Sequence, residues 1–333
     1  MAEDLLFGIQ TNGVKHTHAD PVPPVLERFR MVKEAGVFDY VDKTPDPDQI
    51  EDFGKGRDEF GLPVRAGGWF YQLGNPDDEA LIERNLAVGQ RMGSLVHNTQ
   101  IKLLHADGHV VTNDEVADAY IRWSELGQKY GVQPCFEVHV NMWSEDFPRV
   151  AEVAQLVEKR GAEFNMTLDH SHVIFKIDNP DEQKIFGTDK KVANGELVLD
   201  PFKPSNVTAQ WIEAGWVRHC HARAAVPNNP KNITGRNEDG SVGRGIQYPF
   251  VRPGPGEYHA DWDESLLEPW KEGIRTLMRY HAKNPVKKLG QISTEFIPGP
   301  DYGEGCHYSL FAQAIACVEW MRVEWQTIRA QAD

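Results

Sequence analysis

Residues 99–140 read TQIKLLHADGHVVTNDEVADAYIRWSELGQKYGVQPCFEVHV. Residues 99–104 have the apolar and β-branched character of a strand. Thr112-Asn113-Asp114-Glu115 then supplies the capping signal of a helix that runs to about Gly131. Residues 135–140 return to strand character with alternating faces. A strand, a helix and another strand follow one another with no tight hairpin turn, which suits a parallel sheet.

The same alternation runs through the chain. Strands are expected at 5–11, 37–41, 63–70, 99–104, 135–140, 164–168, 216–221 and 290–294. Helices are expected at 23–36, 47–60, 76–93, 112–131, 145–160, 204–214, 264–282 and 304–330. Strand–helix repeats without an antiparallel hairpin signal point to α/β architecture, a single (β/α)8 TIM barrel over residues 1–333. A doubly wound open sheet is the rival, but it should carry a Gly-rich phosphate turn, and no G-x-G-x-x-G or P-loop pattern is present. Two connections, about 173–203 and 224–263, exceed the usual βα loop. Both fall on the carboxyl side of the strands, where barrel active sites are built, and are expected to act as a lid or as a docking surface for a partner.

Composition narrows the function. The 333 residues are 40% apolar with 9 Trp, 9 Tyr and 15 Phe, enough for a large core. A net charge of −15 is the wrong sign for tracking nucleic-acid phosphates or an anionic membrane. Cys135, Cys220, Cys306 and Cys317 form no C-x-x-C pair and read as reduced thiols. The opening MAEDLLFGIQ has acids where an export signal needs bases, so a cytoplasmic location is expected.

The chemistry sits at the strand ends. Glu137 and His139 fall on one face of their strand by alternation, with Phe136, Val138 and Val140 on the other. The sixth strand ends in Leu168-Asp169-His170-Ser171-His172, the seventh in His219-Cys220-His221, and the eighth leads into Ser293-Thr294-Glu295-Phe296. Three carboxylates gathered in one cavity repel one another unless a cation neutralises them. Hard oxygen ligands with one imidazole suit a divalent ion such as Mn²⁺, Mg²⁺ or Co²⁺.

This pattern resembles the xylose-isomerase-like TIM barrels, the group of sugar isomerases, 3-epimerases and apurinic endonucleases. The resemblance is carried by FEVHVNMW, LDHSH, HCHARA, the GRG at Gly243–Gly245 and STEF. It implies metal ligands Glu137, Asp169, His221 and Glu295, with Mn²⁺ the first choice of ion. It also implies His172 as a substrate ligand and Arg244 as a loop residue near the site. His139, two residues after the first metal-binding Glu, departs from the epimerase pattern. With the run IQYPFVRPGPGEYH it is similar to the alpha subunit of the C-glycoside deglycosidases. That likeness implies a lyase acting on 3-oxo-C-glycosides by proton abstraction and β-elimination, alongside a small beta subunit. His139 is then the base, with Glu137 and Glu295 as further proton-handling groups.

The alternative is a metal-dependent sugar isomerase or 3-epimerase working through an enediolate, since the same enolate can be reprotonated when C1 bears no leaving group. An apurinic endonuclease or a non-catalytic binding protein is more remote. His219 is the reserve ligand and otherwise a substrate contact. Trp69, with Phe70, could wall a sugar pocket, and His105, with Asp107 and His109, lies in a loop on the same face.

Overall fold

The computed structural model describes residues 4–332 apart from 285 and 287. The first three residues of the segment read for export lie outside it. Strands β1 (Leu6–Gln10), β2 (Tyr40–Asp42), β3 (Val64–Tyr71), β4 (Val96–Ile101), β5 (Gln133–Glu137), β6 (Met166–Leu168) and β7 (Val217–Ala222) belong to one sheet. The sheet closes through β10 (Gln291–Thr294) in the order β1-β10-β7-β6-β5-β4-β3-β2, a parallel eight-stranded barrel. The pairings Gly8↔Ser293 and Ser293↔His221 bring the last strand between the first and the seventh.

The helices between strands form for local reasons. In α4 (Asn113–Tyr130) the Thr112 hydroxyl accepts from the Glu115 amide while the Glu115 carboxylate accepts from the Thr112 amide. Gly131 then ends the helix in the left-handed region at φ 69°. Trp123 and Tyr120 of α4 bury against Phe136 of β5, the edge-on Tyr120–Phe136 pair lying 4.8 Å apart. Inside the barrel, Gly8 leaves room for Tyr40: a Cβ there would meet the ring at 2.3 Å. The Tyr40 hydroxyl is thereby placed 2.8 Å from Ser293 Oγ.

Several boundaries depart from the sequence reading, and one matters for chemistry. Strand β5 ends at Glu137, so His139 is set by the loop rather than by strand alternation. The backbone bends there because the Ser144 hydroxyl donates to the Glu137 carbonyl and accepts from the His139 amide. The expectation of no antiparallel hairpin also fails. Strands β8 (Asn232–Arg236) and β9 (Val242–Gly243) form one inside the long loop after β7. The turn residues Asp239-Gly240, with Gly240 at φ 81°, were its overlooked signal. The hairpin lies outside the barrel and rests on the 3₁₀ turn Pro300–Tyr302, where Asn232 Nδ2 donates to the Pro300 carbonyl at 2.8 Å.

The other long loop, after β6, folds into short helices α6 (Ser171–Ile174), α7 (Pro180–Lys184) and α8 (Asp189–Ala193). All four cysteines are unpaired and buried. Among the described residues no helix is long and apolar enough to cross a membrane.

Candidate metal centre

Three of the expected ligands converge at the carboxyl ends of the strands. His221 Nδ1 lies 2.8 Å from Glu137 Oε1 and 3.1 Å from Glu295 Oε2. Its other nitrogen, Nε2, lies 3.3 Å from Asp42 Oδ2. Burial alone would lower the His221 pKa, but Glu295, Glu137 and Asp42 together raise it well above the usual value. The second oxygen of Glu137 accepts from Asn98 Nδ2 at 2.6 Å and from Gln100. Burial works against its ionisation, yet His221 and His139 hold the carboxyl down at about 2.

Asp169, the fourth expected ligand, is fully buried one step away. Its Oδ1 accepts from the Ser171 amide and hydroxyl at 3.0 and 2.6 Å. Its Oδ2 accepts from Arg223 Nε at 3.2 Å, and the same guanidinium donates to Glu295 Oε2. Asp169 and Glu295 therefore face one positive charge, as Glu137 and Glu295 face another at His221. This donor set, carboxylate oxygens with one imidazole nitrogen in an acid-rich pocket, fits a hard divalent ion. The contact between His221 Nε2 and Asp42 matches the carboxylate–histidine arrangement that leaves Nδ1 free to bind metal.

A cavity of about 350 Å³ opens above these groups, with Glu295, His221, His139, Tyr302, Trp69 and Lys43 in its wall. Trp69 stacks on Phe70 at 5.1 Å, and both side chains line the cavity. His139 Nδ1 lies 2.6 Å from the Val140 carbonyl oxygen, an acceptor only, so Nδ1 carries the proton. Nε2 is then the free lone pair, 3.2 Å from the Tyr302 hydroxyl that donates to it. Burial first, then His172 and Arg223, bring the His139 pKa down to about 4, so the ring is neutral near pH 7.

Other expected contacts lie elsewhere. His172 is buried under His139, their rings 4.3 Å apart, with Nε2 3.3 Å from Asp169 Oδ2. It does not line the cavity. His219 is buried outside the cavity wall, with Nε2 3.2 Å from Asp42 Oδ2 and 3.5 Å from Ser293 Oγ, and with Asp42 and His221 it brings three donor atoms within 4.8 Å of one another. Arg244 is engaged by Glu145 and Glu182 and is absent from the cavity wall. Two carboxylates hold its guanidinium, so it is a clamp between loops. His105 stands in the loop after β4, outside the cavity, beside Asp107 and His109.

Sequence reasoning missed Asp42, Asn98, Gln100, Arg223 and Tyr302. The first four had a signal. Asp42 closes a strand end, Asn98 and Gln100 share one face of β4 by alternation, and Arg223 follows two residues after His221. Tyr302 had none, because a loop after the last strand delivers it.

No family model matches the chain, and no curated protein matches it in sequence. Solved structures do match in shape. A D-psicose 3-epimerase from Clostridium cellulolyticum H10 aligns with a TM-score of 0.56 at 10% identity over 96% of this chain and 99% of its own. An L-ribulose 3-epimerase aligns at 0.54 and 12% over 99% and 97%. The 3-keto-D-glucoside 4-epimerase YcjR from E. coli aligns at 0.51 and 14% over 96% and 100%. The likeness is one of fold. Among the structures of this shape is also the IOLI protein, described with a bound zinc atom, at a TM-score of 0.52.

Proposed function

We propose that the chain is a divalent-metal-dependent sugar isomerase or 3-epimerase that works through an enediolate. The observation that carries this reading is the convergence of Glu137, His221 and Glu295 beneath a cavity of sugar size. Glu137, Asp169, His221 and Glu295 would hold the ion, Mn²⁺ being the first to test. When bound, such an ion polarises a carbonyl oxygen and stabilises negative charge developing there. The shared fold of several sugar epimerases supports the same class of chemistry.

The chain's own residues divide the remaining work. Trp69 and Phe70 present apolar faces to a pyranose or open-chain sugar, while Lys43 and Asn12 offer donors to its hydroxyls. His139 is neutral, with its Nε2 lone pair directed to the cavity side, and takes the proton from the carbon next to the substrate carbonyl. Tyr302 donates to that same nitrogen in the free protein and gives way as the substrate enters, leaving the Nε2 lone pair to take the substrate's proton. Glu295 also lines the cavity and is the second proton-transfer group. Glu137 is a ligand only, because His221, Asn98 and Gln100 already occupy its oxygens.

The test is to load the chain with Mn²⁺, incubate it in D₂O with a panel of ketoses and aldoses, and follow deuterium at the carbon beside the carbonyl by NMR. Deuterium incorporation with formation of an epimer or isomer is expected. Absence of exchange on every free sugar overturns the reading.

A second reading, the C–C lyase, has one observation in its favour. A further hollow of about 460 Å³, lined by Leu103, Leu104, Ile185 and Phe186, lies beside Gln72 and Lys102. Those two residues come two positions after Phe70 and Gln100 of the cavity wall. An apolar substituent on the sugar would find contacts there. Release of the free aglycone from a 3-oxo-C-glycoside, with a small partner subunit supplied, would favour this reading over the isomerase.

A further inference from the structure

The loop between β4 and α4 carries the sequence His105-Ala106-Asp107-Gly108-His109, which the proposed chemistry leaves unused. It is a tight, ordered turn. The His105 amide donates to the His109 carbonyl at 2.9 Å, and the Gly108 amide to the His105 carbonyl at 2.9 Å. Gly108 makes the turn at φ 95°, a conformation that favours glycine. Leu104 and Val110 pair on either side as an isolated antiparallel bridge. The backbone thus folds both histidines onto one aspartate.

His105 Nδ1 lies 3.1 Å and His109 Nδ1 2.5 Å from the same oxygen, Asp107 Oδ1, and the two rings stack at 4.6 Å. The three donor atoms lie within 4.8 Å of one another. Donors sharing one tetrahedral zinc at about 2.1 Å stand about 3.4 Å apart. Small adjustments of the three side chains therefore suffice to place a single ion among them. The far nitrogen of His109, Nε2, lies 3.0 Å from Glu115 Oε1 and 3.1 Å from Oε2. A carboxylate on the outer nitrogen of an imidazole fixes the tautomer whose inner nitrogen points its lone pair at a metal. Glu115 itself is held by the Thr112 amide and hydroxyl, both at 2.8 Å, so the orienting group is rigid.

We propose that His105, Asp107 and His109 form a second metal site, separate from the strand-end centre, that takes a zinc-class divalent ion and uses Glu115 to orient His109. Two imidazoles and one carboxylate favour Zn²⁺, Ni²⁺ or Cu²⁺ over the all-oxygen preference of Mg²⁺ or Ca²⁺. Water would complete the coordination, since His109 and Asp107 face solvent. The ion would pin the loop that carries Leu104, one wall of the apolar hollow beside the cavity.

The test is calorimetric titration of the metal-stripped full chain with Zn²⁺, with Co²⁺ absorption as a second readout. The wild type should take up two equivalents. The double variant His105→Gln/His109→Gln should take up one, Glu295→Gln should keep the loop equivalent, and the three changes together should leave none. Glu115→Gln preserves the helix cap, since glutamine serves in a capping box, and should weaken the loop site by about 10–100-fold. Melting curves verify that each variant is folded. If the strand-end centre binds nothing, the wild type takes up one equivalent and the loop variant none, which still supports the loop site. Equal uptake by the wild type and the loop double variant overturns it, as does an unchanged affinity in Asp107→Asn.

Discussion

Two buried clusters of charge lie on the same face of the barrel and are built oppositely. In the strand-end cluster, Asp42, Glu137, Asp169 and Glu295 outnumber the two buried cations they meet, Arg223 and His221, with Lys43 at the rim. In the loop cluster, Glu145 and Glu182 meet Lys176 and Arg244, with Lys176 Nζ 2.6 Å from Glu145 Oε1. The first has a surplus of acid; the second is balanced. Balanced buried charges satisfy one another and lock the loops after β5, β6 and β7 together. A surplus calls for a positive partner from outside the chain. This difference accounts for the fate of Arg244, whose charge is already spoken for.

The comparison can be broken experimentally. The largest effect is expected at Glu295→Gln, where metal uptake at the strand ends and turnover should fall by about 10²–10⁴-fold. Urea unfolding of the metal-stripped protein should change little, because Arg223 keeps Asp169. A large loss of stability in the metal-free state would show that the acid surplus does not exist. His139→Ala should lower kcat by about 10²–10⁴-fold while metal content, read by elemental analysis, stays intact. If added metal restores its rate, His139 supports the site rather than moving protons.

The balanced cluster should respond in stability instead. Glu145→Gln leaves Lys176 and Arg244 buried with one carboxylate between them and should cost about 3–5 kcal/mol in urea unfolding. The pH dependence follows from the same group. Burial alone would raise the Glu145 pKa, but Arg244 and Lys176 bring it down from 4.5 to about 2. A carboxyl held below its unfolded value contributes stability that is present above about pH 4.5 and is lost as pH falls toward 2. The gap between wild type and Glu145→Gln in urea midpoint should therefore be full at pH 6 and shrink between pH 4.5 and 2. A gap that is constant over that range would remove the charge from the explanation.

The smallest effect is expected at Arg244→Lys. The charge remains while the two-carboxylate fork is lost, so stability should drop by about 1–2 kcal/mol. The KM for any sugar turned over should stay within about twofold. A tenfold rise in KM would return Arg244 to the substrate.

The sequence by itself determined the barrel and most of the side chains that converge at its strand ends. Caps at helix ends are local properties, so α4 could be read to within a residue at each end, whereas β4 and β5 lie two to three residues earlier than alternation alone places them. Glu137, His221 and Glu295 were legible because each lies within a residue of a strand's end, and a closed parallel barrel brings all strand ends to one rim. Only the tertiary structure decided which side of that rim each group faces. His219 and His221 share a strand face and both meet Asp42, yet only His221 also reaches Glu137 and Glu295. Nor could strand alternation place His139, because β5 stops two residues earlier and the Ser144 bridge sets the loop. Tyr302 reaches His139 across 163 residues of chain on a turn braced by the hairpin insertion. Contacts of that kind depend on how loops close over the barrel, and loop closure is a long-range balance of packing and ion pairing that no short stretch of sequence encodes.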